Sequence, residues 1–144
     1  MTQLALPNDA NTHGTVLGGK VMHLMDLTAA IAASRHCRKP VVTVSVDSVR
    51  FHHPVRVGEV MLVEAVVTRA FRTSMEVQVT VQSENPRTGS RQKTCSAFLT
   101  FVAVDEEGKP TPVPPLIPET DEERRRWELA LERRKRRLAA AAEE

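Results

Sequence analysis

Residues 18–34 read GGKVMHLMDLTAAIAAS, with apolar side chains on every side of a helix. The period predicts one long helix from about Gly19 to Ser34, enclosed by the rest of the domain. Asp26 is its only carboxylate. Among Val21, Met22, Leu24, Met25, Leu27, Ala29, Ala30 and Ile31, an ionisable group is costly unless it is paired or opens onto a cleft. Lys20 and Arg35 lie six and nine positions away, off the i±3 and i±4 sites from which they could pair with it. Asp26 is therefore the first candidate for an acid or base, the plainer alternative being a capping or paired core carboxylate. His23, three residues earlier, can share its face, and as a lone histidine it reads more simply as a satisfied core residue. Gly18 and Gly19 stand where the helix begins. Backbone N–H groups there have no partner inside the helix and no Cβ covers them, which suits them to a developing oxyanion.

Outward from this helix the period changes to two. Val42, Val44 and Val46 face one way and Thr43, Ser45 and Asp47 the other, as in a half-buried strand. The pattern returns in Val60 to Ala70, and again in Met75, Val77, Val79 and Val81 against Glu76, Gln78, Thr80 and Gln82. Lys93 to Val104 is apolar on both faces, which predicts a central strand or one at a subunit contact. A further short strand is expected at Gln3 to Leu6. The turn residues Pro54 and Gly58, Arg72-Thr73, and Asn85-Pro86 through Gly89 imply antiparallel connections. The expected class is α+β, with strands long enough to curl around the helix.

A chain of 144 residues with 41% hydrophobic content can bury one core. Its net charge of +2 does not point to nucleic acid, and no apolar run reaches the roughly 18 residues of a membrane span. The opening MTQLALPNDANTHG lacks the features of an export leader, so the cytoplasm is the expected compartment and Cys37 and Cys95 are expected as reduced thiols. His52-His53 and His36-Cys37 match no zinc spacing, and no metal is expected.

The expected organisation is a body over residues 1–109, a proline-rich linker over 110–118 and a charged helix over 119–144. Pro110, Pro112, Pro114, Pro115 and Pro118 enforce a stiff, extended exit from the sheet. From Glu119 onward eight acidic and eight basic side chains cancel. Acidic residues come first and basic ones later, matching the helix dipole, with Glu132 and Arg136 placed as an i,i+4 pair. The plain reading is a solvated helix, with Trp127, Leu131 and Leu138 as a narrow docking stripe.

The run from Asn8 to Asp26, NDANTHGTVLGGKVMHLMD, resembles the signature of hotdog-fold acyl-CoA thioesterases, specifically the cytosolic acyl-coenzyme A thioester hydrolase group. Val42 to Asp47, Phe51-His52-His53-Pro54-Val55 with Gly58, Thr73 to Val77, and Phe101 to Asp105 with Gly108-Lys109-Pro110 follow in that group's order. The resemblance covers about Leu6 to Pro118. It departs at Leu17, often His or Phe in the group, and after Asp26, where Leu27-Thr28-Ala29-Ala30 replaces an acidic or glycine residue.

The resemblance implies a hotdog fold, a curved antiparallel sheet wrapped around one long central helix, here with an extra C-terminal helix. It implies a homo-oligomer, with a dimer as the active unit and a trimer of dimers as the full homohexamer, and acyl-CoA bound between subunits. By the same resemblance Asp26 is general base or nucleophile, Asn11 of the partner subunit holds the water or thioester, and the Gly18 N–H polarises the carbonyl. A thioester is electrophilic and its thiolate leaves readily, so water, a carboxylate and an oxyanion donor suffice. No cofactor is expected beyond the coenzyme A of substrate and product. Gly19, His23, Thr43, Thr73, Ser74, Arg72, Arg91 and Lys93 are expected along the substrate, the cations with Arg87 serving its phosphates. Two other classes stay open. A hydratase on this fold commonly has His five residues after the acid, where this chain has Ile31. A non-catalytic acyl-CoA-binding or RNA-binding module would depend on the C-terminal helix and not on Asp26.

Overall fold

In the computed structural model, which describes residues 1–143, four long antiparallel strands and one short strand form a single sheet. The long strands are β2 (Val41–Phe51), β3 (Val60–Ala70), β4 (Ser74–Glu84) and β5 (Arg91–Ala103), and the short one is β1 (Thr2–Leu4). They lie in the order β1-β3-β4-β5-β2. The strand apolar on both faces, β5, sits between β4 and β2, with a helix on either side of the sheet.

Helix α1 (Gly18–Cys37) crosses the inner face. It runs past Ser34 because no breaker intervenes before Arg38, which takes the left-handed conformation (φ 58°) and returns its N–H to Ser34 O. Val21, Leu24, Met25, Ala29 and Ala33 meet Met61, Val63, Met75, Val77, Val79, Leu99 and Phe101 in the core. Each Val, Leu, Met or Phe among them withdrawn from water contributes about 1.5–3 kcal/mol. Ala29 and Ala33 are fully buried, so α1 is set close on the sheet there.

Within one chain α1 is buried on one side only, which corrects the expectation of an enclosed helix. Met22, Leu27 and Ile31 remain 38%, 45% and 41% exposed, because the sheet curls around only the opposite side. His23 is exposed as well and is not a core histidine.

The simple alternation expected in β2 is also corrected. Thr43 pairs with Phe101 and Ser45 with Thr100, leaving Val44 as an extra residue in a bulge, and a second irregularity falls between Asp47 and Arg50, where Ser48 has φ 54°. Val41, Thr43 and Val46 consequently stand on the core face beside Ala103, Phe101 and Leu99, and Ser45 and Asp47 on the outer face beside Thr100 and Phe98.

The proline segment is strapped to the end of the sheet: Thr111 N–H donates to Ala103 O, Val113 N–H to Arg72 O, and the His36 ring meets Pro114 O at 2.8 Å. Thr120 caps α2 (Asp121–Ala142) by accepting from Glu123 N–H. This helix is not simply solvated. Arg133 and Arg137 reach Glu76, Arg134 stacks 4.3 Å from the Phe71 ring centroid, and Trp127 lies against Arg69 at 3.6 Å. Burial lowers the basicity of the Arg69 guanidinium from its ordinary value. Leu138, expected to dock, is 56% exposed, while Ala130 is the residue of α2 that is fully buried. Glu132 pairs with Lys135 at 3.3 Å rather than with Arg136.

Candidate active site

The bulge at Val44 brings Thr43 to Asp26. In an unbroken strand Thr43 and Ser45 would share a face. With one residue inserted, Thr43 turns inward while Ser45 and Asp47 stay outside, and the Thr43 hydroxyl donates to Asp26 Oδ1 at 2.7 Å. Asp26 is half-buried and has no cationic partner among the described residues, Lys20 being drawn to Asp9 at 3.6 Å. One carboxylate oxygen is thus fixed by a neutral donor. The other is left to accept a proton. Around the pair lie the exposed Met22, Leu27 and Ile31 of α1 and Val44 and Val46 of β2, an apolar band beside a strand with an open edge.

Gly18 and Gly19 open α1 as expected. Leu17 precedes them without a side-chain cap, and Lys20 and Val21 N–H groups return to Leu17 O, so among the described residues the Gly18 and Gly19 N–H groups have no acceptor. A Cβ at Gly18 would lie 3.5 Å from the Phe51 ring, and one at Gly19 would meet nothing within 4 Å. Gly18 lines a cleft of about 260 Å³ with Val16, Val21, Phe51 and His53. That cleft adjoins a wider one of about 640 Å³ through the shared His53 and Pro54, where Arg56, Arg87 and Gln92 stand.

Asn11 builds its own turn. Its Oδ1 accepts from His13 N–H at 2.8 Å and Thr15 N–H at 3.2 Å, and its Nδ2 donates to Thr15 Oγ1 at 2.9 Å, leaving one amide hydrogen free among the described residues. It makes no hydrogen bond to Asp26 within the chain. Gly18 and Asp26 do not converge either. Eight residues of helix separate them by about 12 Å along the axis, too far for both to touch one carbonyl group. Within one chain Asn11, Gly18 and Asp26 therefore do not come together.

Of the expected substrate contacts, Thr43 is beside Asp26 and His23 is exposed on α1. Arg72 and Thr73 lie in the β3–β4 turn, where their carbonyls accept from Val113 and Ala103 N–H groups. Ser74 is buried beneath α2, with Arg134 Nη1 3.4 Å from its hydroxyl. Arg91 is held by Glu84 at 2.9 Å, and Lys93 is exposed two residues further along β5. Gln92, between them, faces the wider cleft with Arg56. Sequence reasoning missed Arg56 and Gln92; the only signal was the position of Arg56 directly after the His52-His53-Pro54-Val55 run. No group of three or more potential metal ligands occurs among the described residues, and no described helix is long and apolar enough to cross a membrane.

The sequence pattern of the thioesterase superfamily matches residues 13–90. A Bacillus subtilis protein named as an acyl-CoA thioester hydrolase is 47% identical over 122 residues, 85% of this chain and 71% of that one. The cytosolic acyl coenzyme A thioester hydrolase of Rattus norvegicus is 42% identical over 89% of this chain, which spans only 34% of that protein's length. Among solved structures, an apo-hexameric acyl-CoA thioesterase superimposes with a TM-score of 0.94 at 48% identity, covering 99% of this chain and 91% of the other. An acyl-CoA hydrolase of Staphylococcus aureus, in complex with butyryl coenzyme A, coenzyme A and coenzyme A disulfide, superimposes at 0.92 with 38% identity, covering 99% and 87%. Alanine variants of that hydrolase have been solved at an asparagine, an aspartate and a threonine that follow one another at intervals of 15 and 17 residues, as Asn11, Asp26 and Thr43 do here. The chain thus belongs to the thioesterase superfamily and, within it, to the hotdog-fold acyl-CoA thioester hydrolases.

Proposed function

We propose that this hydrolase cleaves acyl-CoA to a free acid and coenzyme A, with Asp26 as general base to a water molecule. The observation that carries the reading is the 2.7 Å bond from Thr43 to Asp26 Oδ1 in the middle of an exposed apolar band. The hydroxyl orients the carboxylate, and Oδ2 takes the proton as water attacks the thioester carbon. The oxyanion is received by the N–H of Gly18 of the partner subunit, and Asn11 of the partner subunit supplies its free amide hydrogen to the water or carbonyl. The partner is invoked because Gly18 and Asp26 of one helix lie about 12 Å apart. Collapse of the tetrahedral intermediate expels the thiolate of coenzyme A, and its low basicity makes a general acid unnecessary.

The apolar faces of α1 and β2 supply both the wall for the acyl chain and the contact between subunits, in keeping with the hexameric relative. A dimer is the active unit in this reading, and three dimers make the hexamer. The cleft beside Gly18 leads past His53 to Arg56 and Arg87, cations suited to the phosphates of coenzyme A. Gly19 and His23 border the thioester, with Arg91 and Lys93 as further contacts toward the nucleotide at the Arg56 end of the sheet, whereas Arg72 and Thr73 lie at the other end of β4, about 30 Å away, and join the nucleotide only from another subunit. Ser74, beneath α2, belongs to this set only if α2 shifts. No resident cofactor is invoked, and a cytosolic site of action follows the naming of the rat relative.

Thiol release from acyl-CoAs of two to sixteen carbons is the test. Wild-type protein is expected to turn over part of the series, and Asp26→Asn is expected to retain CoA binding while losing about 10²-fold or more in kcat. Absence of turnover on every chain length would contradict the reading.

A further inference from the structure

The outer face of the sheet, away from the thioester site, carries a charge network that reaches the strand holding Thr43. The Glu76 side chain in β4 is fully buried. Thr68 Oγ1 donates to it at 2.7 Å, Arg133 through Nε at 3.0 Å and Nη2 at 2.8 Å, and Arg137 through Nη1 at 3.0 Å. Arg137 Nε also lies 3.5 Å from Asp47 Oδ2 in β2, and the Ser45 hydroxyl lies 3.4 Å from that same oxygen. The Arg133 and Arg137 side chains are only 17% and 15% exposed. Removing such ions from water consumes most of their mutual attraction, so the cluster is a poor source of net stability and a better means of fixing one arrangement.

The arrangement it fixes is that of β2. This strand hydrogen-bonds to β5 alone, and two irregularities interrupt the ladder. Between them only Ser45, Val46 and Asp47 are paired. That short stretch sets the direction of the Val44 bulge and so of Thr43. Glu76, Thr100 and Ser45 stand side by side across β4, β5 and β2, which places Arg137 as a link from the buried centre of the sheet to its interrupted edge strand.

We propose that Arg137 is a positioning residue for the Thr43–Asp26 pair. By holding Asp47 it fixes the three paired residues between the irregularities, and through them the aim of the Thr43 hydroxyl. The C-terminal helix thereby belongs to the catalytic apparatus without touching substrate. The inference rests on the reading of Asp26 as general base given above.

The test is steady-state kinetics of the full-length protein on an acyl-CoA that the wild type hydrolyses. Arg137→Met and Asp47→Asn are expected to lower kcat about tenfold while KM stays within about twofold, with Arg137→Lys recovering part of the loss. Because Arg137 and Thr43 act through one hydroxyl, Arg137→Met is expected to add little to the effect of Thr43→Val. Leu138→Ala, at the next and exposed residue, is expected to match the wild type. Wild-type kcat in Arg137→Met or Asp47→Asn, or full multiplication of the Arg137→Met and Thr43→Val effects, would overturn the proposal. Should Arg137→Met fail to fold, Asp47→Asn decides, since it is isosteric and leaves the Arg137–Glu76 pair intact. A kcat near that of the wild type in Asp26→Asn would instead overturn the general-base reading and leave the role of Arg137 to be judged on the kcat of its own variants.

Discussion

A carboxylate in an apolar run is visible in any sequence, and Asp26 was legible for that reason. Thr43 was expected beside the substrate from the resemblance, but its bond to Asp26 was not legible. Thr43 sits in a stretch whose alternation gives no sign that Val44 is inserted, so only the pairing register shows Thr43 turned inward. If the hydroxyl orients Asp26, Thr43→Val should lower kcat about tenfold with little change in KM, as measured by thiol release. If the Gly18 N–H receives the oxyanion, a Cβ there, 3.5 Å from the Phe51 ring, would narrow the approach to it, and Gly18→Ala should lower kcat/KM without loss of fold, checked by circular dichroism. Cys95 gives a separate test. Burial pushes its thiol up from the ordinary range, outweighing the Ser96 backbone hydrogen bond. Its contribution to stability is present below the unfolded thiol pKa and lost as pH rises through the folded one. Ellman's reagent at neutral pH should therefore leave Cys95 unlabelled until the protein is denatured.

At the scale of elements, period and turn residues located all four long strands and both helices to within a few residues. What they could not show was which faces are covered. The dipole-matched pattern of α2 reads as a solvated helix because composition records charge and not direction, whereas Glu76, buried in β4, draws Arg133 and Arg137 inward. Removing the charge of Glu76 strands two arginines against the sheet. Glu76→Gln should destabilise the fold by about 3 kcal/mol in urea unfolding, more than an exposed pair such as Glu122–Arg126, whose loss should cost about 0.5 kcal/mol or less. Equal small effects in both variants would show that the buried network is not held as described.

In the whole molecule, Met22, Leu27 and Ile31, with Val44 and Val46 on the open edge of β2, form an apolar surface that a single chain leaves uncovered. This is why a helix apolar all round, read from sequence as enclosed, is half-exposed in a single chain. A charge there, as in Ile31→Asp, should dissociate the assembly in sedimentation velocity and abolish turnover with it. In the proposed mechanism two chains complete each site, one giving Asp26 and the other Asn11 and the Gly18 N–H. Complementation is the decisive measurement: Asp26→Ala and Asn11→Ala chains, each inactive alone, are unfolded together, refolded as mixed oligomers and assayed for thiol release. Sites shared between chains predict recovery of about a quarter of wild-type turnover, because half of the random dimers are hybrids and each hybrid keeps one intact site. Verified hybrids as inactive as the parents would contradict the shared site.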